Sequence, residues 1–155
     1  MLFLTDFADQ GVLLPLALVI AVMLAATGWW RGAAAWSVAV GGTIALLLLL
    51  KVLGRAYGPY VLDKSLWNPS GHTAMGSIVY GGLLAMLIGC TALPRAVVLL
   101  AWAIPVLAFG GTRIALGFHS VAEVFIGAAV GGGGLALLLR LTQAAPLRPI
   151  LYQSA

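Results

Sequence analysis

Five long stretches without charge dominate the chain, and they constrain its fold more than any other feature. They cover residues 11–28, 32–50, 73–93, 96–112 and, with Glu123 as the one interruption, 119–139. Each is long enough for a helix, which rises about 1.5 Å per residue, to cross about 30 Å of hydrocarbon. Inside a bilayer no water satisfies backbone N–H and C=O groups, so helices are the expected spanning form. We predict an all-α polytopic membrane bundle of about five transmembrane helices, in one domain over residues 1–155, with helices at 11–28, 32–53, 72–93, 96–113 and 119–140.

The composition excludes several classes of protein. Hydrophobic residues make up 63% of the chain and charged residues 8%, whereas soluble domains carry about 25% charged residues. The chain therefore has too little polar surface for a water-soluble monomer, and it is the opposite of a disordered sequence. Its net charge is +4, but the basic residues are scattered and form no stripe for nucleic acid. The single cysteine, Cys90, provides neither a disulfide framework nor a cysteine-based metal site.

The charged residues divide unequally between the two sides of the predicted bundle. One side carries only basic residues, namely Arg31, Arg95, Arg140 and Arg148. The other carries four basic and four acidic residues: Lys51, Arg55, Lys64 and Arg113 with Asp6, Asp9, Asp63 and Glu123. Lysine and arginine favour the cytoplasmic side, but each side carries four of them. If the basic residues at helix ends on the mixed-charge side serve another purpose, the purely basic side is the cytoplasmic one. We therefore predict that the N-terminus lies outside and the C-terminus in the cytoplasm.

The N-terminal segment and the short loops add two expectations. The segment before the first helix lacks the basic region of a signal peptide, so we expect that helix to be retained. Short hydrophilic loops favour a bacterial inner membrane, with the mixed-charge side facing the periplasm. Glycines crowd the helices, and Gly127 with Gly131 form a small-xxx-small pattern. This pattern predicts close helix packing within the bundle or, alternatively, a face for homo-oligomer formation.

Most of the ionisable residues collect on the mixed-charge side, close to helix ends. Ionisable side chains near a bilayer are costly and usually functional. His119 and Glu123 are four residues apart and are expected to be neighbours on one helix face. A carboxylate bound to one imidazole nitrogen fixes the tautomer and leaves the other nitrogen free to attack. This pair is therefore a candidate nucleophile with its orienting partner.

An anion site is expected beside this pair. Gly71 and His72 would present backbone N–H groups at a helix N-terminus, which is a natural seat for an anion. Positive charge to hold that anion would come from Lys51, Arg55 and Arg113. Two histidines with several bases and no metal-ligand cluster suggest phosphoryl transfer through a nitrogen nucleophile, with no metal or other cofactor.

Three motifs make the chain resemble the type 2 phosphatidic acid phosphatase (PAP2) superfamily. Residues 69–72 read PSGH, which is the second motif of that family. Residues 112–123 read TR-x5-H-x3-E and are similar to its third motif, SR-x5-H-x3-D. The first motif, K-x6-RP, is matched in part by Lys51 followed by Gly-Pro at 58–59. The matches keep the family's order and span residues 51–123.

The resemblance implies a set of roles in a reaction without metal. His119 would attack phosphorus and form a phosphohistidine. His72 would protonate the leaving oxygen and then help water to attack that intermediate, while Glu123 would orient His119. The phosphoryl oxygens would be bound by Lys51, Ser70, the Gly71 N–H and Arg113.

Three positions depart from the family pattern. Gly58 stands where the family has arginine, and removing one preorganised donor to a transition state typically costs about 3–4 kcal/mol. Arg55 lies four residues after Lys51, so it shares that helix face and is the available substitute. Glu123 replaces aspartate, and Thr112 replaces serine but keeps the hydroxyl. Enzymes of the family commonly have six helices, one more than predicted here.

The resemblance implies hydrolysis of a lipid phosphate or diphosphate. With the predicted orientation, the site lies at the outer, periplasmic boundary of the inner membrane. The substrate classes it covers are phosphatidate, phosphatidylglycerophosphate, polyprenyl diphosphate and lipid A phosphates. Two alternatives stay open: a lipid phosphotransferase that uses the same site, and a catalytically weakened homologue that binds or moves a lipid or scaffolds a partner. The second alternative is motivated by Gly58, which stands where the family has an arginine. The expected partners are the substrate and membrane lipids.

Overall fold

The computed structural model describes residues 6–61, 68–88 and 94–143. In chain order its elements are α1 (Gln10–Ala26), α2 (Trp30–Val61), α3 (Gly71–Ile88), α4 (Arg95–Pro105), a π-helical segment (Val106–Gly110), α5 (Gly111–Ala115) and α6 (Val121–Gln143). The segments from α4 to α5 are continuous and form one rod, so the described chain contains five helical rods and no strand. The predicted all-α helix bundle is confirmed. Asp63, Lys64, Cys90 and Arg148 lie outside the described residues.

Three of the helical rods are long and apolar enough to cross a membrane. They are Trp30–Tyr57, Ala96–Ala115 and Val121–Thr142, and Gln10–Ala26 is a shorter apolar helix. Large apolar side chains also face outward, among them Leu87, Leu107 and Phe125, each of which is more than 70% exposed. An apolar surface of this extent is suited to lipid and not to water. A membrane helix bundle is therefore the architecture of this chain.

The second helix is longer than the sequence predicted. We expected it to end near residue 53, but α2 continues to Val61 and includes Lys51, Arg55 and Gly58. The first charges after an apolar stretch mark the end of the hydrocarbon-soluble part and do not end the helix itself. Lysine, arginine, leucine and alanine all favour helix, so α2 extends beyond its apolar stretch. Lys51 therefore lies on a rigid helix and not in a loop.

The third helix is the centre of the bundle. It contacts α1, α2, α4, the π segment and α6, and its residues Ala74, Met75, Ile78 and Val79 are at most 1% exposed. Because neighbours surround α3 on several sides, its first turn is held in a well-defined position. That first turn contains the PSGH residues.

Glycines on α6 allow this helix to approach α3 closely. A Cβ on Gly127 would lie 2.5 Å from the carbonyl oxygen of Ser70, and one on Gly131 would lie 2.6 Å from that of Ala74. Both distances are too short for any real side chain, so only glycine fits. Of the two predictions for the small-xxx-small pattern, packing within the bundle is therefore what Gly127 and Gly131 do. Homo-oligomer formation stays a prediction.

This close packing leads to a first testable prediction. Gly131→Ala should destabilise the protein by about 1–3 kcal/mol, because the new methyl group meets the backbone of α3. Gly133→Ala is the matched control, since a Cβ there meets nothing within 4 Å and alanine favours helix over glycine. Equilibrium unfolding in detergent micelles measures both. Equal stability of the two variants would contradict the packing argument.

Candidate active site

Several separate parts of the chain meet at one end of the bundle. The start of α3 is tied to the start of α6, because the Ser70 N–H donates to the backbone oxygen of Glu123 (3.0 Å). The Lys51 ammonium of α2 lies beside the same turn: a Cβ on Gly71 would be 3.8 Å from Lys51 Nζ and 3.3 Å from Gln10 Nε2 of α1. Four of the five helical rods therefore contribute to this end, and the fifth contributes through its last segment, α5.

The turn between α5 and α6 places Arg113 next to His119. The chain reverses at Gly117, whose positive φ of 70° suits a residue without a side chain. The carbonyl oxygen of Arg113 then accepts the N–H groups of Phe118 (3.0 Å) and His119 (3.2 Å). These two hydrogen bonds fix the backbone of His119 relative to α5.

His119 and Glu123 form a hydrogen-bonded pair, as their spacing predicts. His119 Nδ1 lies 3.0 Å from Glu123 Oε2, and the two side chains are 7% and 13% exposed. A carboxylate only accepts hydrogen bonds, so Nδ1 carries the proton and Nε2 of the neutral ring keeps its lone pair. The pair therefore presents an imidazole nitrogen whose lone pair points away from the carboxylate.

The reason for this contact differs from the one predicted. His119 precedes α6, which begins at Val121 and not at residue 119. Glu123 instead belongs to a capping box: its carboxylate accepts the Ser120 N–H (3.0 Å), and the Ser120 hydroxyl accepts the Glu123 N–H (3.3 Å). The other carboxylate oxygen accepts the Asn68 N–H at 3.2 Å. Glutamate at this position thus holds His119, the α6 terminus and the segment before α3 together.

The first turn of α3 provides backbone donors. Ser70 is wholly buried, and its hydroxyl oxygen accepts from the Thr73 hydroxyl (2.9 Å) and N–H (3.4 Å). Ser70 is therefore the N-cap of α3, a role that the sequence analysis did not assign to it. Gly71 and His72 follow as the first helical residues, whose N–H groups have no partner within a helix. They are the donors predicted for an anion.

The cations lie around this turn. The Arg113 guanidinium stacks on the Phe118 ring, with Cζ 4.4 Å from the ring centroid. Its Nε is the one buried side-chain nitrogen or oxygen in the described part of the chain without a hydrogen-bond partner. Arg113 and Lys51 both act electrostatically on His72, and the exposed Arg55 acts on Lys51. A buried donor without an acceptor is costly, and an oxyanion would satisfy this one.

Comparison with known proteins identifies the family. The sequence model of the PAP2 superfamily matches residues 51–146, more than half of the chain. The chain belongs to the PAP2 superfamily. No curated protein and no solved structure matches it. The PAP2 assignment supports a phosphatase-type enzyme that acts on phosphate esters.

The PAP2 match begins at Lys51 and contains the residues that the three motifs predicted. Within residues 6–61, 68–88 and 94–143, no group of three or more His, Cys, Asp or Glu side chains is placed to hold a metal ion. Gly58, where the PAP2 motif has arginine, lies on α2. Arg55 lies one turn from Lys51 on α2, as the spacing predicts.

Some residues of the site were missed by sequence reasoning. The Ser120-x-x-Glu123 spacing is a capping-box signal that is visible in the sequence. Asn68, Asp9 and Gln10 carry no comparable signal for this site. The N-cap role of Asp9 is readable from its place before an apolar run, but its position 3.8 Å from His72 Nε2 arises only when α1 packs against α3.

Proposed function

We propose that this protein is a metal-independent phosphatase that hydrolyses a lipid phosphate or diphosphate through a phosphohistidine intermediate. Phosphatidate, phosphatidylglycerophosphate and polyprenyl diphosphate are substrates of the right kind. The site lies at the outer boundary of the membrane, facing the periplasm of a bacterium. His119, His72 and Glu123 are the catalytic group, and Lys51, Ser70, Gly71, Arg113 and Arg55 bind the phosphoryl oxygens.

One observation carries the proposal: an oriented imidazole adjoins a residue, Arg113, whose buried Nε has no acceptor among the described residues. Glu123 accepts from His119 Nδ1 at 3.0 Å, which directs the lone pair of Nε2 away from the carboxylate. The buried Arg113 Nε has no acceptor among the described residues, and its backbone is bonded to that of His119. Phosphoryl transfer is accelerated mainly by hydrogen-bond donors and positive charges that stabilise the developing negative charge on the phosphoryl oxygens.

The reaction has two displacement steps. In the first, His119 Nε2 attacks phosphorus, the bond from phosphorus to the lipid oxygen breaks, and the His72 imidazolium gives its proton to that oxygen. The products are the lipid alcohol, or a lipid monophosphate from a diphosphate, and phosphohistidine. In the second, neutral His72 takes a proton from water, the water oxygen attacks phosphorus, and the P–N bond breaks. Inorganic phosphate leaves, and both histidines return to their starting state.

A groove beside Lys51 supports a lipid substrate. Its volume is about 360 Å³, and its lining is mainly apolar: Gln10, Leu14, Ile44, Leu47, Leu48, Lys51 and Met75. The groove is lined by the Lys51 cation, the Gln10 amide and otherwise by apolar side chains, which is the complement of a phosphate headgroup with an alkyl tail. Leu48 is 58% exposed on the outward face of α2, so a tail would reach the groove from the bilayer.

The test of this function is phosphate release by the purified protein in detergent with EDTA present. The substrates are long-chain lipid monophosphates and diphosphates, with short-chain analogues beside them. We expect turnover that is indifferent to EDTA and greatest for the long-chain lipids. No release from any lipid by folded protein would overturn the proposal and favour the lipid-binding alternative. Formation of a phosphorylated acceptor without inorganic phosphate would identify the phosphotransferase.

Filling the groove gives a second testable prediction. Leu48→Trp should raise KM for long-chain substrates about tenfold, because it excludes roughly two methylene groups worth about 0.8 kcal/mol each. KM for a short-chain analogue should stay unchanged. Leu49→Trp is the matched control, since Leu49 is similarly exposed (53%) but does not line the groove. Equal effects of the two variants, or equal effects on both chain lengths, would show that the tail does not lie there.

A further inference from the structure

A carboxylate from α1 faces the second histidine of the site. Asp9 Oδ2 lies 3.8 Å from His72 Nε2, and the two side chains are 59% and 19% exposed. Residue 9 lies outside the range 51–146 that matches the family. The α1 end of the site is therefore a feature of this chain that the family motifs do not describe.

The two oxygens of Asp9 have different partners. Oδ1 accepts the Gly11 N–H at 2.7 Å and caps α1, which leaves Oδ2 directed at His72. Two further hydrogen bonds hold α1 in place: Tyr80 Oη donates to the Phe7 carbonyl oxygen (2.8 Å), and Trp36 Nε1 donates to that of Ala17 (2.9 Å). The Asp9 carboxylate is thus fixed by its own helix and by α2 and α3.

Every other charged or titratable group that faces His72 is basic. They come from separate elements: Lys51 from α2, Arg113 from α5 and His119 from the turn before α6. Burial and, after it, like charges lower the pKa of His72 and so disfavour the protonated imidazolium, whereas a carboxylate within about 4–6 Å favours it. Asp9 is therefore the one group around His72, in the described part of the chain, whose charge opposes loss of its proton.

We infer that Asp9 is a positioning residue that opposes loss of the His72 proton and so favours its donation to the leaving oxygen. The inference rests on the proposed function for its catalytic consequence. The site then contains two histidine–carboxylate pairs with opposite tasks. Glu123 binds Nδ1 of His119 and frees a nitrogen lone pair, whereas Asp9 stabilises the cationic form of His72. Asp9 thereby extends the pH range in which poor leaving groups, such as the alkoxide of a lipid, are expelled.

The test is Asp9→Asn, which removes the charge and keeps the cap, because asparagine caps helices as well as aspartate. For a long-chain alkyl phosphate, the alkaline limb of kcat/KM should move to lower pH by about 0.5–1 unit, a three- to tenfold loss on that limb. At lower pH the variant and the wild type should converge. For an aryl phosphate with the same tail, whose leaving group needs no proton, kcat/KM should be unchanged. Asp6→Asn, an exposed acid one turn earlier, should behave as wild type.

A readout independent of activity separates this inference from the proposed function. The chain has only two histidines, so isotope-labelled imidazole NMR resolves both rings, and His72→Gln assigns them. The titration midpoint of the His72 ring should fall in Asp9→Asn and stay in place in Asp6→Asn. An unmoved midpoint, equal losses on alkyl and aryl substrates, or a change in KM alone would overturn the inference. A wild type without turnover but with the shifted midpoint would refute the phosphatase and leave the pairing of Asp9 with His72 standing.

Discussion

Replacing His119 with alanine is expected to abolish phosphate release, with a loss on the order of 10⁶-fold in kcat, as when other covalent catalysts lose their nucleophile. The side chain is 7% exposed and held by Glu123, and alanine has no atom that could attack phosphorus. The measurement is phosphate release together with trapping of the phosphorylated protein by an alkaline detergent quench, in which a P–N bond survives. Wild type should yield an acid-labile phosphoenzyme, and His119→Ala none.

The His72→Gln variant makes this prediction specific. It should still form the phosphoenzyme from an aryl phosphate, because that leaving group needs no proton. It should then hydrolyse the intermediate slowly, because His72 no longer accepts a proton from water, so phosphoenzyme accumulates. Melting curves in detergent check that both variants are folded. Turnover that persists in folded His119→Ala would refute the covalent mechanism.

Glu123→Gln is expected to lower kcat by a factor of about 10³–10⁴, with a loss of only about 1 kcal/mol in stability. An amide can donate to the imidazole where the carboxylate only accepts, so it supports the wrong tautomer, the known effect of the equivalent change in a catalytic triad. With the amide nitrogen at the Oε2 position, facing His119, the amide oxygen at the Oε1 position keeps the bond to the Asn68 N–H. The bond from the Ser120 N–H to Oε2 is lost.

Ser120→Ala is the control for Glu123→Gln, because it weakens the capping box without changing the carboxylate. It removes the hydroxyl that accepts the Glu123 N–H and leaves the carboxylate at His119. We expect a loss of about 1 kcal/mol in stability and a change of less than tenfold in kcat. Parallel losses of stability and activity in both variants would mean that Glu123 acts only through the fold.

Local patterns in the sequence were sufficient for much of this description. The uncharged stretches predicted an all-α bundle, and three motifs led to the family and to the residues that the family match covers. The pairing of His119 with Glu123 was also predicted, from their spacing of four, and is present. Helix ends were less predictable: α2 extends eight residues beyond the predicted end, because charge marks the limit of an apolar stretch and not the limit of helix propensity.

The cause of a contact was harder to predict than the contact itself. His119 meets Glu123 through the capping box at the start of α6, not across a helix face. Ser70 is buried as the N-cap of α3, although the motif names it only as a phosphate ligand. Both roles depend on where a helix begins, and a helix start is set by hydrogen bonds that the pattern of apolar residues does not reveal.

The class of the protein, its helices and the chemical types in its site follow from hydropathy and short motifs, because these are local properties of the chain. Which residues meet depends on the packing of the helices. The approach of Gly127 to Ser70, the grouping of Lys51 and Arg113 around His72, and the position of Asp9 opposite His72 all join segments far apart in the chain. Such meetings are set by how helix surfaces fit together in three dimensions, and no local pattern encodes that fit.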